Sequence, residues 1–280
     1  MSIAFILEKR QHKQSDLLTL KLLAVLSKNQ IKLISSLQKK KYRDSHQLFV
    51  AEGDKLVMDL LQTNIKVAYL VHTPDWKNAP TTEHLNQIEN RIETDLKLMK
   101  KVSSLKTPSP VLAVFRIPAS DIDEHTIKNS LSILLDDVQD PGNLGTIIRI
   151  ADWFGIKNIF CSQNTVDVYN PKVIQASMGA IARVKVSYSS LSDLISHYHT
   201  EDFPVYGTFL EGETIYKCEL QNKGFIVMGN EGQGISEEIG QMVSDKLFIP
   251  NFPADQETSE SLNVSVATSI ICSEFRRGEY

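Results

Sequence analysis

Short apolar runs alternate with apolar residues spaced three or four apart along most of this 280-residue chain. That is the signature of strands interleaved with amphipathic helices. From Asn29 the pattern becomes regular. Ile31, Ile34 and Leu37 share one helical face, the cationic run Lys39-Lys40-Lys41-Tyr42-Arg43 follows, and Leu48-Phe49-Val50-Ala51 reads as a strand ending in Glu52-Gly53. A helix over 54–62 and a strand over 67–71 make the beginning of a βαβ unit. Pro74, Pro80, Thr81 and Thr82 mark a loop. Another helix and strand are expected up to Lys100, and 111–115 is the last strand before a polar linker.

Beyond Ser130 the alternation is plainer. Strands are expected over 131–135, 158–161, 184–188, 205–210, 225–228 and 247–249, and helices over 146–154, 171–181, 191–199, 236–243 and 262–275. Pro171 suits the first position of its helix, where no backbone N–H is needed. Short strands separated by helices imply a mostly parallel sheet covered on both faces. The expected fold class is therefore α/β, with a smaller α/β unit in front. The expected division is an unassigned segment 1–27, a first domain 28–115, a linker 116–130 and a second domain 131–280.

Composition alters this picture in one respect. The net charge of −4 conceals two opposite halves: residues 1–128 hold 20 Lys and Arg against 14 Asp and Glu, whereas residues 129–280 hold 10 against 20. A basic half joined to an acidic half suits a part that holds a polyanion beside a part with another task; uneven solvated surface charge is the alternative. Cys161, Cys218 and Cys272 are far apart, odd in number and without C-x-x-C spacing, and the close pair His197 and His199 has no companion ligand. Neither a disulfide framework nor a metal site is expected. No apolar run reaches the roughly 18 residues of a membrane span. The opening Ser2-Ile3-Ala4-Phe5-Ile6-Leu7 is too short for a signal h-region and has no basic n-region before it. A soluble, cytoplasmic protein is the expectation.

Open α/β sheets bind ligands at the carboxyl ends of strands, so candidate chemistry belongs in the loops that leave them. Three stand out. Asp136-Asp137-Val138-Gln139-Asp140-Pro141-Gly142-Asn143-Leu144-Gly145 leads from a buried strand into a helix carrying Arg149 a turn inside. Gly229-Asn230-Glu231-Gly232-Gln233-Gly234 follows another apolar strand; it has neither the spacing of a dinucleotide fingerprint nor the Lys-Ser/Thr of a P-loop. Ile249-Pro250 precedes Ser261-Leu262-Asn263-Val264-Ser265, where polar residues open an apolar helix and Ser261 suits an N-cap. Each alone also reads as a plain turn or cap.

Taken together, in order and spacing, Asn143-x-Gly145-x-x-x-Arg149, Gly229-Asn230-Glu231-Gly232-x-Gly234 and Ile249-Pro250 with Ser261-Leu262-Asn263-Val264-Ser265 resemble the SpoU (TrmH-like) RNA 2′-O-ribose methyltransferases of the SPOUT superfamily. Lys41-Tyr42-Arg43 with Phe49-Val50-Ala51-Glu52-Gly53 resembles the substrate-binding domain of rRNA-directed members, which extends the likeness over about residues 28–278. The resemblance implies a C-terminal trefoil knot and a homodimer with its active site near the subunit interface. It implies S-adenosylmethionine as methyl donor, held by backbone around Gly229, Ile249 and Leu262, with Thr208 as a further candidate. It assigns Asn143, Arg149, Glu231, Ser261 and Asn263 to substrate handling and catalysis. Arg149 takes the role of general base in the family; because a guanidinium normally stays protonated, a bidentate clamp on the adjacent RNA phosphate is the alternative. Glu231 and Asn263 are then expected to fix the arginine and the loops by hydrogen bonds. One departure is local: the family usually has methionine after Ile-Pro and a shorter link, whereas here Asn251 follows and 251–260 is longer.

Lys39, Lys40, Lys41 and Arg43 lead the candidates for RNA phosphate contacts. Auxiliary domains of this kind are commoner among enzymes acting on large-subunit rRNA, so rRNA is favoured over tRNA. A catalytically silent RNA-binding module is the rival, against which the presence of Arg149, Glu231 and Asn263 speaks. A nicotinamide or nucleotide enzyme would need the fingerprint that is missing.

Overall fold

The computed structural model describes residues 26–77, 88–119, 123–253 and 261–279. Most of the opening segment 1–27, the loop residues Pro80, Thr81 and Thr82, and most of the long link before Ser261 lie outside the described residues.

The N-terminal part contains α1 (Lys28–Ser36), α2 (Lys40–His46), β1 (Leu48–Glu52), α3 (Asp54–Leu61), β2 (Val67–His72), β3 (Arg91–Glu93), α4 (Leu96–Val102) and β4 (Val111–Arg116). Its strands form one sheet in the order β1-β4-β2-β3. β4 runs antiparallel to both β1 and β2, so the two strands of the expected βαβ start share a direction while the last strand lies between them. Successive strand residues face opposite ways. Leu48, Val50, Leu112 and Val114 accordingly pack with Ile34, Leu37, Met99 and Val102 on the α1 and α4 side, whereas Phe49, Ala51, Ala113 and Phe115 pack with Leu56, Val57 and Leu60 of α3.

A short helix, α5 (Glu124–Lys128), occupies the expected linker. The C-terminal part continues with β5 (Leu131–Leu135), α6 (Pro141–Trp153), β6 (Asn158–Cys161), α7 (Pro171–Ser177), β7 (Lys185–Tyr188), α8 (Leu191–Tyr198), β8 (Val205–Thr214), β9 (Gly224–Met228), α9 (Glu237–Gly240), β10 (Asp245–Phe248) and α10 (Val264–Arg277). Six parallel strands are ordered β10-β8-β9-β5-β6-β7. Both faces of β5 are covered: Leu131, Ile133 and Leu135 meet Ile147, Ile148 and Ile271, while Leu134 meets Leu191 and Ile195 of α8. That double burial is why the strand is nearly all apolar. The α/β class and mostly parallel sheet expected from the pattern are the ones observed.

Several boundaries moved for local reasons. α6 begins at Pro141, well before residue 146, because Asp140 Oδ1 accepts the Asn143 N–H at 2.8 Å and Pro141 fills the first turn without a missing donor. The helix expected over 171–181 stops at Ser177, where Met178 turns left-handed at φ 50° and Gly179 follows at φ 89°. α10 is capped by Asn263 rather than Ser261: Asn263 Oδ1 accepts from the Ser265 and Val266 N–H groups at 3.0 and 3.4 Å.

The two parts meet through α7 and the segment before it. Ile174, Tyr169, Ile181 and Ala182 join the α3-side core of the small domain, and the Tyr169 ring lies 4.8 Å from that of Phe49. Arg43 is only 2% exposed. Its Nε and Nη2 donate to Asp167 Oδ2 at 2.9 and 2.5 Å, and its Nη1 donates to the Leu37 carbonyl at 2.8 Å. This corrects the expectation that Arg43 contacts RNA. Its planar fork is spent on one carboxylate and one carbonyl at the domain junction, a geometry arginine meets better than lysine. Lys39, Lys40 and Lys41 remain exposed. Among the described residues no helix is long and apolar enough to cross a membrane, and no group of three His, Cys, Asp or Glu is placed to hold a metal ion.

Candidate active site

Two of the three unusual loops, those leaving β9 and β10, meet beside Thr208 of β8, and the loop leaving β5 is bonded to the β9 loop through Glu231. Between the first two lies a cleft of ≈ 560 Å³ lined by Thr208, Gly229, Glu231, Ile249, Ser261 and Leu262. Residues from three distant stretches of sequence thus share one wall. Met228, Leu247, Val264 and Ala267 add apolar surface to it, and Glu211 and Lys246 add charge. None of these is given a role by the sequence, although Val264 stands inside the third motif; the signal for the others is adjacency to the motifs at the ends of apolar strands.

Asn143 and Asn263 stand behind the cleft and are joined to it through Glu231. Glu231 Oε1 accepts from Asn143 Nδ2 at 2.9 Å and from the Asp140 N–H at 3.3 Å, and Oε2 accepts from the Gln139 N–H at 3.4 Å. Asn143 Oδ1 in turn accepts from Asn263 Nδ2 at 2.9 Å. The free oxygen of Asn263 caps α10, so a single chain of side chains ties the β9 loop, the start of α6 and the start of α10. Each amide uses a donor on one side and an acceptor on the other, which fixes all three in one arrangement.

The β9 loop is shaped by a residue that was quoted in its motif but given no role. Asn230 Nδ2 donates to the Asp137 carbonyl at 2.8 Å, while its Oδ1 accepts from the Gly232 and Gln233 N–H groups at 2.9 and 3.1 Å. An Asn beside glycines is the usual signal for such a side-chain-closed turn. The Asn230 and Gly234 backbones also pair with each other, and Gly234 sits at φ 73°. A Cβ on Gly229 would collide with the Gly234–Ile235 peptide, so the loop can close this tightly only without a side chain there.

Arg149 lies apart from this cluster. It is exposed on α6, and no hydrogen bond or ion pair joins it to another described residue. Helix geometry turns it about 120° away from Asn143. Glu231 and Asn263 therefore fix the loops and Asn143, and the expected bonds from them to the arginine are absent among the described residues. Trp153, one turn further along the same face, is 84% exposed. Thr208 donates from Oγ1 to the Val227 carbonyl at 3.1 Å, which holds its side chain against β9 at the cleft.

Comparison with known proteins places this geometry. Residues 130–273 match the SpoU rRNA Methylase family, and residues 28–113 match the MRM3-like substrate binding domain. The 23S rRNA (guanosine(2553)-2′-O)-methyltransferase RlmP of Bacillus subtilis (strain 168) is 30% identical over 258 residues, covering 88% of this chain and 95% of that protein. A solved structure of a TrmH-family protein from Porphyromonas gingivalis superposes with a TM-score of 0.78 at 39% identity, covering 91% of this chain and 100% of that one. An AdoMet-bound rRNA methyltransferase from Sinorhizobium meliloti superposes with a TM-score of 0.77 at 27% identity, covering 89% and 95%. With the family matched across the whole parallel-sheet part, and a relative matched over nearly its full length, the chain belongs to the SpoU rRNA methylase family.

Proposed function

We propose that this enzyme transfers a methyl group from S-adenosylmethionine to a ribose 2′-hydroxyl of large-subunit rRNA. The observation that carries the reading is the Glu231-Asn143-Asn263 chain at the rim of a ligand-sized cleft. Its volume is within the range of small-molecule sites, about 300–1,000 Å³. The residues fit the cofactor. Ile249, Leu262, Val264 and Ala267 offer apolar walls, Glu211 and Glu231 offer carboxylates to a cationic ligand, and Gly229 adds backbone to the lining. When bound, the cofactor supplies an electrophilic methyl on sulfur.

The protein's own task is alignment and activation of a poorly acidic hydroxyl. Glu231, Asn143 and Asn263 hold the two loops so that a ribose entering over the cleft meets fixed walls. Ser261, exposed at its mouth, is available to the sugar. Arg149, with its five donors uncommitted, clamps the phosphate beside the target nucleotide and stabilises negative charge developing on the hydroxyl oxygen. Residues 28–115 form the RNA-binding domain, with Lys39, Lys40 and Lys41 as phosphate contacts, joined by 116–130 to the methyltransferase domain 131–280. The C-terminal part carries the trefoil knot of its family, and the protein acts as a cytoplasmic homodimer. What supports the dimer is α6, which presents Arg149 and the exposed indole of Trp153 on one face; a second copy covering Trp153 would bring that arginine to a subunit boundary.

The test is transfer of labelled methyl from S-adenosylmethionine to unmodified rRNA and tRNA, wild type beside Arg149→Ala, followed by digestion to locate the label. Ribose-linked label on rRNA that disappears in the variant is the expected result. Label on a base, or on tRNA alone, would overturn it.

A further inference from the structure

The small domain carries a second charged surface. Residues 28–38 and 95–106 hold six lysines and a single acid, Asp95, whose side chain caps α4 by accepting the Leu98 N–H at 2.7 Å. All six lysines are exposed, and no ion pair holds any of them among the described residues. Their placement follows from helix phase. Lys28 and Lys32 lie one turn apart on α1, and Lys97 and Lys101 one turn apart on α4, while Ile34, Met99 and Val102 point into the core. Ser35 Oγ donates to the Lys101 carbonyl at 2.8 Å, which pins the two helices side by side and turns two short lysine rows into one surface. The layer covers the sheet face opposite the one that α3 and α7 occupy, so it looks away from the helix through which the methyltransferase domain is joined.

We infer that the α1–α4 face is a phosphate-binding track for a helical stretch of RNA distinct from the segment that carries the target ribose. Uncompensated lysines on a rigid two-helix platform match the repeating charge of a nucleic-acid backbone, and a solvated helix surface would not need to exclude acids so completely. This inference rests on RNA being the substrate.

The experiment measures binding of an unmodified large-subunit rRNA transcript across a salt series, without turnover. Three proteins are compared: wild type, Lys32→Gln/Lys101→Gln on the track, and Lys157→Gln/Lys217→Gln as a control with equal charge loss on exposed residues of the other domain. Removing two phosphate contacts should lower the slope of log affinity against log salt by about 2 and raise Kd roughly tenfold or more at low salt. The control should keep the wild-type slope, and all three should bind S-adenosylmethionine alike. A track variant with the wild-type slope, or a control variant equally weakened, overturns the inference. Wild type that binds RNA steeply with salt yet transfers no methyl to ribose would remove the reaction assignment and leave the track standing.

Discussion

Asn143 Nδ2 donates to Glu231 Oε1 at 2.9 Å, joining the first turn of α6 to the loop after β9 across 88 residues of sequence. The carboxylate receives three donors in all, one side-chain amide and two backbone N–H groups. Glu231→Gln replaces one acceptor oxygen by a donor that must face another donor. The loops should part slightly, and since sub-ångström placement governs displacement reactions, kcat for methyl transfer should fall about 100-fold. Steady-state kinetics on rRNA with cofactor saturating would read this; a wild-type kcat would show that the chain of amides is dispensable.

Arg149→Lys keeps the positive charge and loses the planar fork. If the arginine grips a phosphate through two parallel bonds, turnover should drop at least tenfold with the thermal midpoint unchanged, because the side chain is exposed. Equal turnover in the lysine variant would sink the clamp and leave a simple electrostatic role.

Asp167→Asn should destabilise the protein by about 3–5 kcal/mol, because it leaves the guanidinium of Arg43 buried without its anion. Chemical denaturation reads the loss. A double change to Arg43→Met with Asp167→Leu should recover most of it, which would separate the burial of an unpaired charge from loss of packing.

Trp153→Glu should convert a dimer to a monomer in sedimentation velocity while the circular dichroism of the helices stays as in wild type. An exposed indole on a soluble monomer has little effect on folding when replaced, so an unchanged dimer would move the subunit boundary elsewhere.

His72 makes the stability of the small domain depend on pH. Its Nε2 accepts from Arg91 Nε at 3.1 Å, which leaves the proton on Nδ1, facing the Thr73 carbonyl at 3.2 Å. Burial, with the Arg91 charge adding to it, lowers the pKa below the ordinary 6.5. The unfolded chain then takes up a proton more readily than the folded one, so stability is complete above pH 6.5 and declines as pH falls below it. Denaturation midpoints at pH 7.5 and 5.5 should differ more for wild type than for His72→Asn.

The parts of the site legible in the sequence are those where backbone and side chain have few alternatives. Gly229 has no room for a Cβ and Gly234 takes a left-handed φ of 73° that favours glycine, and Asn143, Glu231 and Asn263 sit in fixed spacing to the turn they bound. Arg43 was not legible, because Lys39-Lys40-Lys41-Tyr42-Arg43 reads as one cationic cluster and nothing local says which member turns inward; its partner, Asp167, is 124 residues away. The insertion of β4 between β1 and β2 is likewise non-local, since a run of apolar residues specifies a strand and not its neighbours. Ser261 reads in isolation as one candidate for the α10 cap, because serine suits that position. Asn263 holds it, since the same side chain can cap the helix and reach Asn143 at once.

α7 is in contact with both halves of the molecule at very close range. A Cβ on Gly145 of α6 would stand 2.5 Å from Ala176 Cβ, so the helix bearing Asn143 and Arg149 lies against α7 with no side chain between them. On its other side α7 contributes Ile174 to the small domain's core, and Gly179 just after it abuts Asp59 of α3. The substrate domain is therefore not an interchangeable module. A chimera that takes this domain from a relative while keeping its own residues 165–182 would mate a foreign socket to the native plug, and the misfit would be passed directly to the helix that carries Asn143 and Arg149.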